Sequence, residues 1–141
     1  MAGKKVRIIL DTNVLYAGLY SSRGASFKIL EAIEECKLHT VLSTTLLFEY
    51  EDILKRNQTI LGLSNHDVDK ILNYFCLRSE HQKIYFLWRP FLSDPKDDHL
   101  LELAIASGTK LIATYNVKDF RGVDKFNVQT ITPAKLLEEL L

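Results

Sequence analysis

Apolar residues fall along the chain in short bursts and in stripes at helical spacing, and the two patterns alternate. Val6–Leu10 is apolar except for Arg7 and stops at Asp11-Thr12-Asn13. Buried parallel strands read this way, with polar residues at the C-terminal end. Val14–Leu19 reads as the start of a helix and Ser21-Ser22-Arg23-Gly24 as a loop. Phe27, Leu30 and Ile33, three apart, predict a helix reaching about Cys36. His39–Leu42 predicts a second strand. Ser43 or Thr44 can cap a helix whose apolar face is Leu46, Leu47, Tyr50, Ile53 and Leu54. Ser64 with Asp67 three residues on resembles a capping box for a helix that turns Val68, Ile71, Leu72 and Phe75 inward. Ile84–Trp88 reads as a strand or extended segment. Asp97–Ser107 predicts a helix with Leu100, Leu101, Ala104 and Ile105 on one face and Gly108 at its end. Leu111–Thr114 and Val128–Ile131 predict two more strands. Thr132-Pro133 then starts a last helix with Leu136, Leu137 and Leu140 inward.

Alternating strands and helices argue for an α/β domain with a mostly parallel central sheet. No linker-like stretch divides the chain, so residues 1–141 are expected to form a single domain, a common size for one. A chain that is 47% hydrophobic and 26% charged is globular in composition. Its 18 basic and 18 acidic side chains cancel, which excludes a polycationic nucleic-acid coat; any nucleic acid would meet a local patch. Cys36 and Cys76 form no zinc pattern and no redox pair, and their apolar neighbours predict two reduced core thiols. The longest apolar run, Ile84–Trp88, is far short of the roughly 20 residues of a membrane span. Met1–Lys5 leads into the first strand without a cleavage site, so the expectation is a cytoplasmic protein without a signal peptide or membrane association.

Ligand sites in parallel sheets gather at the C-terminal ends of the strands, so the polar residues there carry the functional argument. Asp11 follows the first strand directly, although an aspartate also suits a turn. Glu49 lies three residues after Leu46 and four before Ile53, which places it on the inward edge of its helix. A carboxylate there loses hydration unless it finds a partner. Asp94, Asp97 and Asp98 stand within five residues just before a helix, more acid than one cap requires. Asn116 and Asp119 follow the strand ending at Thr114; a left-handed turn and plain surface are their bland alternatives. Hard oxygen donors brought to one sheet edge suit Mg²⁺ or Mn²⁺ and not Zn²⁺. Crowded carboxylates raise each other's pKa, a penalty that a divalent cation removes.

The segments "RIILDTNVLYAGL", "LSTTLLFEYEDILKR", "DPKDDHLLELAIASGTKLIATYNVKDF" and "ITPAKLL" resemble the PIN-domain family, in order, from Val6 to Leu137. The similarity is to the bacterial and archaeal toxin components of toxin–antitoxin pairs, relatives of the VapC toxins. The resemblance implies a PIN-like three-layer α/β/α fold and a Mg²⁺- or Mn²⁺-dependent endoribonuclease. It implies Asp11 and Glu49 as the first two acids. It implies Asp98 as the third, sixteen residues before Thr114, with Asp94 and Asp97 beside it. At the fourth position Asn116 stands where many members carry Asp, and Asp119 would supply the missing charge. Asp11, Glu49, Asp98, Asn116 and Asp119 are then the expected metal ligands, the four acids among them catalytic. Thr12, Asn13 and Thr114 would support them or touch substrate.

Lys118, Arg121 and Lys125 are expected to meet the RNA backbone. Tyr115 and Phe120 would stack on bases or join the core. The four histidines are scattered, and His99 is expected on the helix surface. In-line attack by water would leave a 5′-phosphate and a 3′-hydroxyl. A small antitoxin protein and a second copy of the chain, as a homodimer, are the implied protein partners. A dehalogenase-type phosphatase needs a second Asp where Asn13 stands, a receiver domain needs an acidic pair at the first strand, and the six dispersed glycines make no phosphate loop. A PIN domain that binds RNA or a partner without cutting remains the alternative, because of Asn116.

Overall fold

The computed structural model describes residues 6–84, 92 and 97–140. Strand β1 (Val6–Leu10) ends at Asp11, whose side chain accepts the Thr12 N–H and caps α1 (Thr12–Tyr20). Helix α2 (Ala25–Glu34) buries Ser26, Ile29, Ala32 and Ile33; Phe27 and Leu30 are only half-buried, so the predicted stripe starts one residue out of register. At Gly18 a Cβ atom would stand 2.6 Å from Leu30 Cδ1, so α1 and α2 come closest where a side chain is missing.

After β2 (Leu38–Leu42), Ser43 accepts the Leu46 N–H at 3.1 Å and starts α3 (Thr44–Arg56), which buries Leu46, Tyr50 and Leu54. A single turn, α4 (Gln58–Leu61), closes on Gly62. Ser64 and Asp67 exchange hydrogen bonds of 3.1 and 2.9 Å as the capping box at the head of α5 (Asn65–Arg78). Strand β3 (Glu80–His81) follows; the sequence did not predict it. The expected segment Ile84–Trp88 lies, from residue 85 on, outside the described residues. Helix α6 (Asp98–Ser107) ends at Gly108 with φ +71°, and strand β4 (Leu111–Ala113) follows. Two 3-10 turns, Val117–Phe120 and Val123–Phe126, lead to β5 (Gln129–Ile131) and α7 (Pro133–Leu140).

The five strands form one sheet in the order β3-β2-β1-β4-β5, and every pairing is parallel. The expected mostly parallel sheet is thus wholly parallel and flanked by helices. Ile8, Ile9 and Leu10 of β1 are fully buried at its centre. Arg7, the one polar residue of β1, reaches across β2 to Glu80 with bonds of 3.0 and 2.9 Å and also donates to the Ser107 carbonyl at 2.8 Å. It ties β1, β3 and the end of α6 together at the edge opposite the acidic residues.

Two expectations fail. Cys36 is exposed, because the chain reverses there after α2 with φ +62°, beyond the helix's buried stripe. Cys76 is half-buried on the flank of α5, between buried Phe75 and exposed Leu77. Among the described residues no helix is long and apolar enough to cross a membrane.

Candidate active site

The strand order reverses about β1, with β2 and β3 on one side and β4 and β5 on the other. Such a switch point opens a crevice at the C-terminal ends of the two strands that flank it. Here those strands are β1 and β4, in the register Leu10↔Ala113, so the next residues, Asp11 and Thr114, stand side by side.

Asp11 is 6% exposed and Thr114 is fully buried. The Thr114 hydroxyl donates to Asp11 Oδ2 at 2.8 Å, while Oδ1 accepts the Thr12 N–H at 2.7 Å. Thr114 Oγ1 in turn accepts from Asn13 Nδ2 at 3.3 Å and from the Asn116 N–H at 3.1 Å. Asn13 Oδ1 accepts the Tyr115 N–H at 3.4 Å. The start of α1 and the loop after β4 are thereby fixed to each other and aim one carboxylate. Burial pushes the Asp11 carboxyl above its ordinary pKa, and the charge of Glu49 adds to the rise. The hydrogen bonds from Thr114 and Thr12 pull the other way without cancelling it.

Glu49, half-buried on α3 as its spacing predicted, is held by a residue that the sequence placed elsewhere. His99 is 5% exposed, and its Nε2 lies 2.7 Å from Glu49 Oε2. An ionised carboxylate only accepts, so Nε2 carries the hydrogen. His99 Nδ1 is buried without a hydrogen-bond partner among the described residues. The expected surface position of His99 is corrected for a physical reason: α6 is buried on every side from Asp98 to Ala104, so it has no solvent face there. The run Leu100-Leu101-Glu102-Leu103-Ala104 carried that signal, since its apolar residues do not keep to one stripe.

A cavity of about 480 Å³ opens over these groups, lined by Asp11, Thr12, Glu49, Asp52, Ile53, Arg56 and Asp97. The two acids at the head of α6 divide. Asp97 faces the cavity, whereas Asp98 is 1% exposed and its Oδ1 accepts the Leu92 N–H at 2.8 Å. Asp94 lies outside the described residues. Asn116 is exposed and Asp119 half-buried in the first 3-10 turn, where the Asp119 N–H donates to the Asn116 carbonyl; neither lines the cavity. Lys118, Arg121 and Lys125 are exposed and also do not line it. Phe120 is 2% exposed and belongs to the core, while Tyr115 is 47% exposed. Sequence reasoning did not single out His99, Asp52 or Arg56 for the site, although Asp52 and Arg56 follow Glu49 at the helical spacings i+3 and i+7.

Among the described residues, no three His, Cys, Asp or Glu side chains are gathered as a ready-made metal site. The donor chemistry nevertheless fits a hard divalent cation. An aspartate whose carboxyl is pushed up by burial, and further by a second carboxylate, is an arrangement that a cation relieves.

The family model described as PIN domain matches residues 7–118. No curated protein matches the sequence. Among solved structures, a chain of the crystal structure of VapBC2 from Rickettsia felis bound to a DNA fragment from their promoter is similar in fold. It has a TM-score of 0.61 and 15% identity over 90% of this chain and 98% of that one. A chain of the structure of FitAB bound to IR36 DNA fragment gives a TM-score of 0.53 and 17% identity, covering 89% of this chain and 94% of that one.

Proposed function

The chain belongs to the PIN domain family, whose members are generally nucleases, and from that membership we propose that it is a Mg²⁺- or Mn²⁺-dependent endoribonuclease acting as the toxin of a toxin–antitoxin pair. The observation that carries this reading is the pairing of buried Asp11 with Glu49 over one cavity at the β1/β4 switch point.

In this reading Asp11, Glu49 and Asp98 hold the metal, with Asn116 and Asp119 on the loop after β4 and Asp97 on the cavity wall. When bound, a divalent cation supplies an acidified water and neutralises charge developing on the scissile phosphate. Thr12 and Thr114 donate hydrogen bonds that aim the Asp11 carboxyl, and Asn13 in turn holds Thr114. His99 fixes the rotamer of Glu49. In-line attack on the phosphodiester leaves a 5′-phosphate on one fragment and a 3′-hydroxyl on the other. The reading extends to a single domain over residues 1–141, a cytoplasmic location, an antitoxin protein partner and a homodimer. Lys118 and Arg121 then serve the outer RNA backbone.

Replacing Asp11 with Asn is expected to abolish metal-dependent RNA cleavage while thermal unfolding stays cooperative; undiminished cleavage overturns the assignment. A second reading, a PIN domain that binds RNA or a partner without cutting, is favoured by Asn116 at the fourth position and by the lack of three gathered ligands among the described residues. Calorimetric titration of Mn²⁺ into wild type and Asp98→Asn separates the two, because the enzyme reading requires binding that the substitution weakens.

A further inference from the structure

Among the described residues, four carboxylates share the cavity wall with a single guanidinium. Arg56 is the one cation lining it among the described residues. It is the last residue of α3. Glu49, Asp52, Ile53 and Arg56 stand at i, i+3, i+4 and i+7, so one stripe of that helix faces the cavity for two turns. Exposure rises along the path from the floor to the mouth. Asp11 is 6% exposed, the Glu49 side chain 39% and the Arg56 side chain 66%. Two turns of helix carry Arg56 about 10 Å from Glu49. A polyanion entering the cavity therefore meets Arg56, with Asp52 beside it, before Glu49 and Asp11.

Arg56 is already engaged, but loosely. Its Nη2 lies 2.9 Å from Asp52 Oδ2, one turn earlier, in a pair whose side chains are 66% and 64% exposed. Exposed pairs of this kind exchange readily with water and with other ions. The neighbouring pair of the same spacing, Lys55 with Glu51, does not line the cavity, so helix stabilisation alone does not account for a guanidinium on this wall. The planar fork of arginine can take two oxygens of a phosphate at once, so a phosphate can compete with Asp52 for it.

We propose, resting on the ribonuclease reading, that Arg56 binds an RNA backbone phosphate next to the scissile one, and that Asp52 holds the guanidinium at the cavity mouth until that phosphate displaces it. Arg56 is a substrate-binding residue, and Asp52 is a positioning residue that acts through it.

The test uses the full chain carrying Asp11→Asn, which separates binding from cleavage, and a fluorescein-labelled single-stranded oligoribonucleotide followed by anisotropy across a salt series. Adding Arg56→Ala is expected to weaken binding about tenfold at low salt and to lower the slope of log affinity against log salt by about 0.7, one phosphate contact on a single strand. Arg56→Lys keeps the slope and recovers part of the affinity. Asp52→Asn tightens binding about twofold, the scale of a loose exposed pair, and this gain vanishes when Arg56→Ala is also present. An Arg56→Ala protein with unchanged affinity and slope, or an Asp52→Asn gain that persists without Arg56, overturns the proposal. The two readings fail differently. If the Asp11→Asn parent binds no RNA and the wild type cleaves none, the ribonuclease reading falls and Arg56 with it. If the wild type cleaves RNA but Arg56→Ala binds as its parent does, only the role of Arg56 falls.

Discussion

Replacing His99 is the sharpest probe of how the site is held. The imidazole is 5% exposed and sits 2.7 Å from Glu49 Oε2, so His99→Ala removes a buried hydrogen bond to a carboxylate and leaves a void at the head of α6. A hydrogen bond to a charged group contributes about 1.5–3 kcal/mol. The Glu49 side chain is 39% exposed, so water recovers part of that loss, and the net cost of the bond falls toward the lower figure, about 1.5 kcal/mol. The larger effect is on function. A freed Glu49 samples several rotamers, and partners that orient metal-binding carboxylates typically change metal affinity or activity by about 10–100-fold. His99→Gln places an amide N–H near the former Nε2 and is expected to recover most of the loss. The assays are calorimetric titration of Mn²⁺ and cleavage of a labelled RNA, run on wild type, His99→Ala and His99→Gln at one pH. If His99→Ala binds Mn²⁺ and cleaves as the wild type does, or if the Gln protein is as impaired as the Ala protein, Glu49 does not depend on this hydrogen bond.

Three further outcomes follow from the same geometry. Asp11 has a folded-state pKa above its ordinary value, so in metal-free protein its contribution to stability is full below about pH 4 and is lost as pH rises through the folded value; denaturant unfolding in chelator should show wild type losing stability relative to Asp11→Asn over that rise. Thr114→Val deletes the hydroxyl that donates to Asp11 and so raises that pKa further; the acidic limb of the cleavage rate against pH should move to higher pH, and an unmoved limb refutes the role of Thr114. Tyr50 is fully buried, its hydroxyl donates to the Leu10 carbonyl, and burial pushes its pKa well up; Tyr50→Phe strands that carbonyl, at a cost of about 1–3 kcal/mol, read as a drop in melting temperature of a few degrees.

Where a local rule decides the structure, the residues announce it. Ser64 and Asp67 form their box because each supplies what the other's backbone lacks, and Gly108 ends α6 because it accepts a left-handed turn. Asp11 was legible because a buried strand running into a polar residue can end only at a sheet edge. Glu49 was legible because helical spacing fixed its face. His99 was not, because a stripe reading assumes that a helix has a solvent side, and α6 has none over its first two turns. The basic residues divide by their place in the fold. Lys118 and Arg121 are near Thr114 in sequence, but the 3-10 turn Val117–Phe120 leaves them exposed and off the cavity wall. Arg56 is far from Thr114 in sequence and on the wall, since α3 brings it there by periodicity. Cys36 was misread because its apolar neighbours belong to α2 and β2, while the residue itself makes the reversal between them.

The balanced charge of the chain acquires a meaning from where the charges sit. Among the described residues four of the chain's 18 acidic side chains line the cavity, and Arg56 is the one basic side chain that does. Those five side chains sum to a formal −3. A chain of zero net charge exerts little pull on a polyanion at a distance, whereas charge gathered in a low-dielectric cleft acts strongly close in. Under the proposed function, RNA would be held off this cleft by its carboxylates until a cation offsets them. A divalent cation on Asp11 and Glu49 would bring the cleft to −1, with Arg56 at the mouth already positive. Under the proposed function, entry of RNA to the cleft would then be governed by these few local charges and not by the chain's zero total, and so would depend on metal.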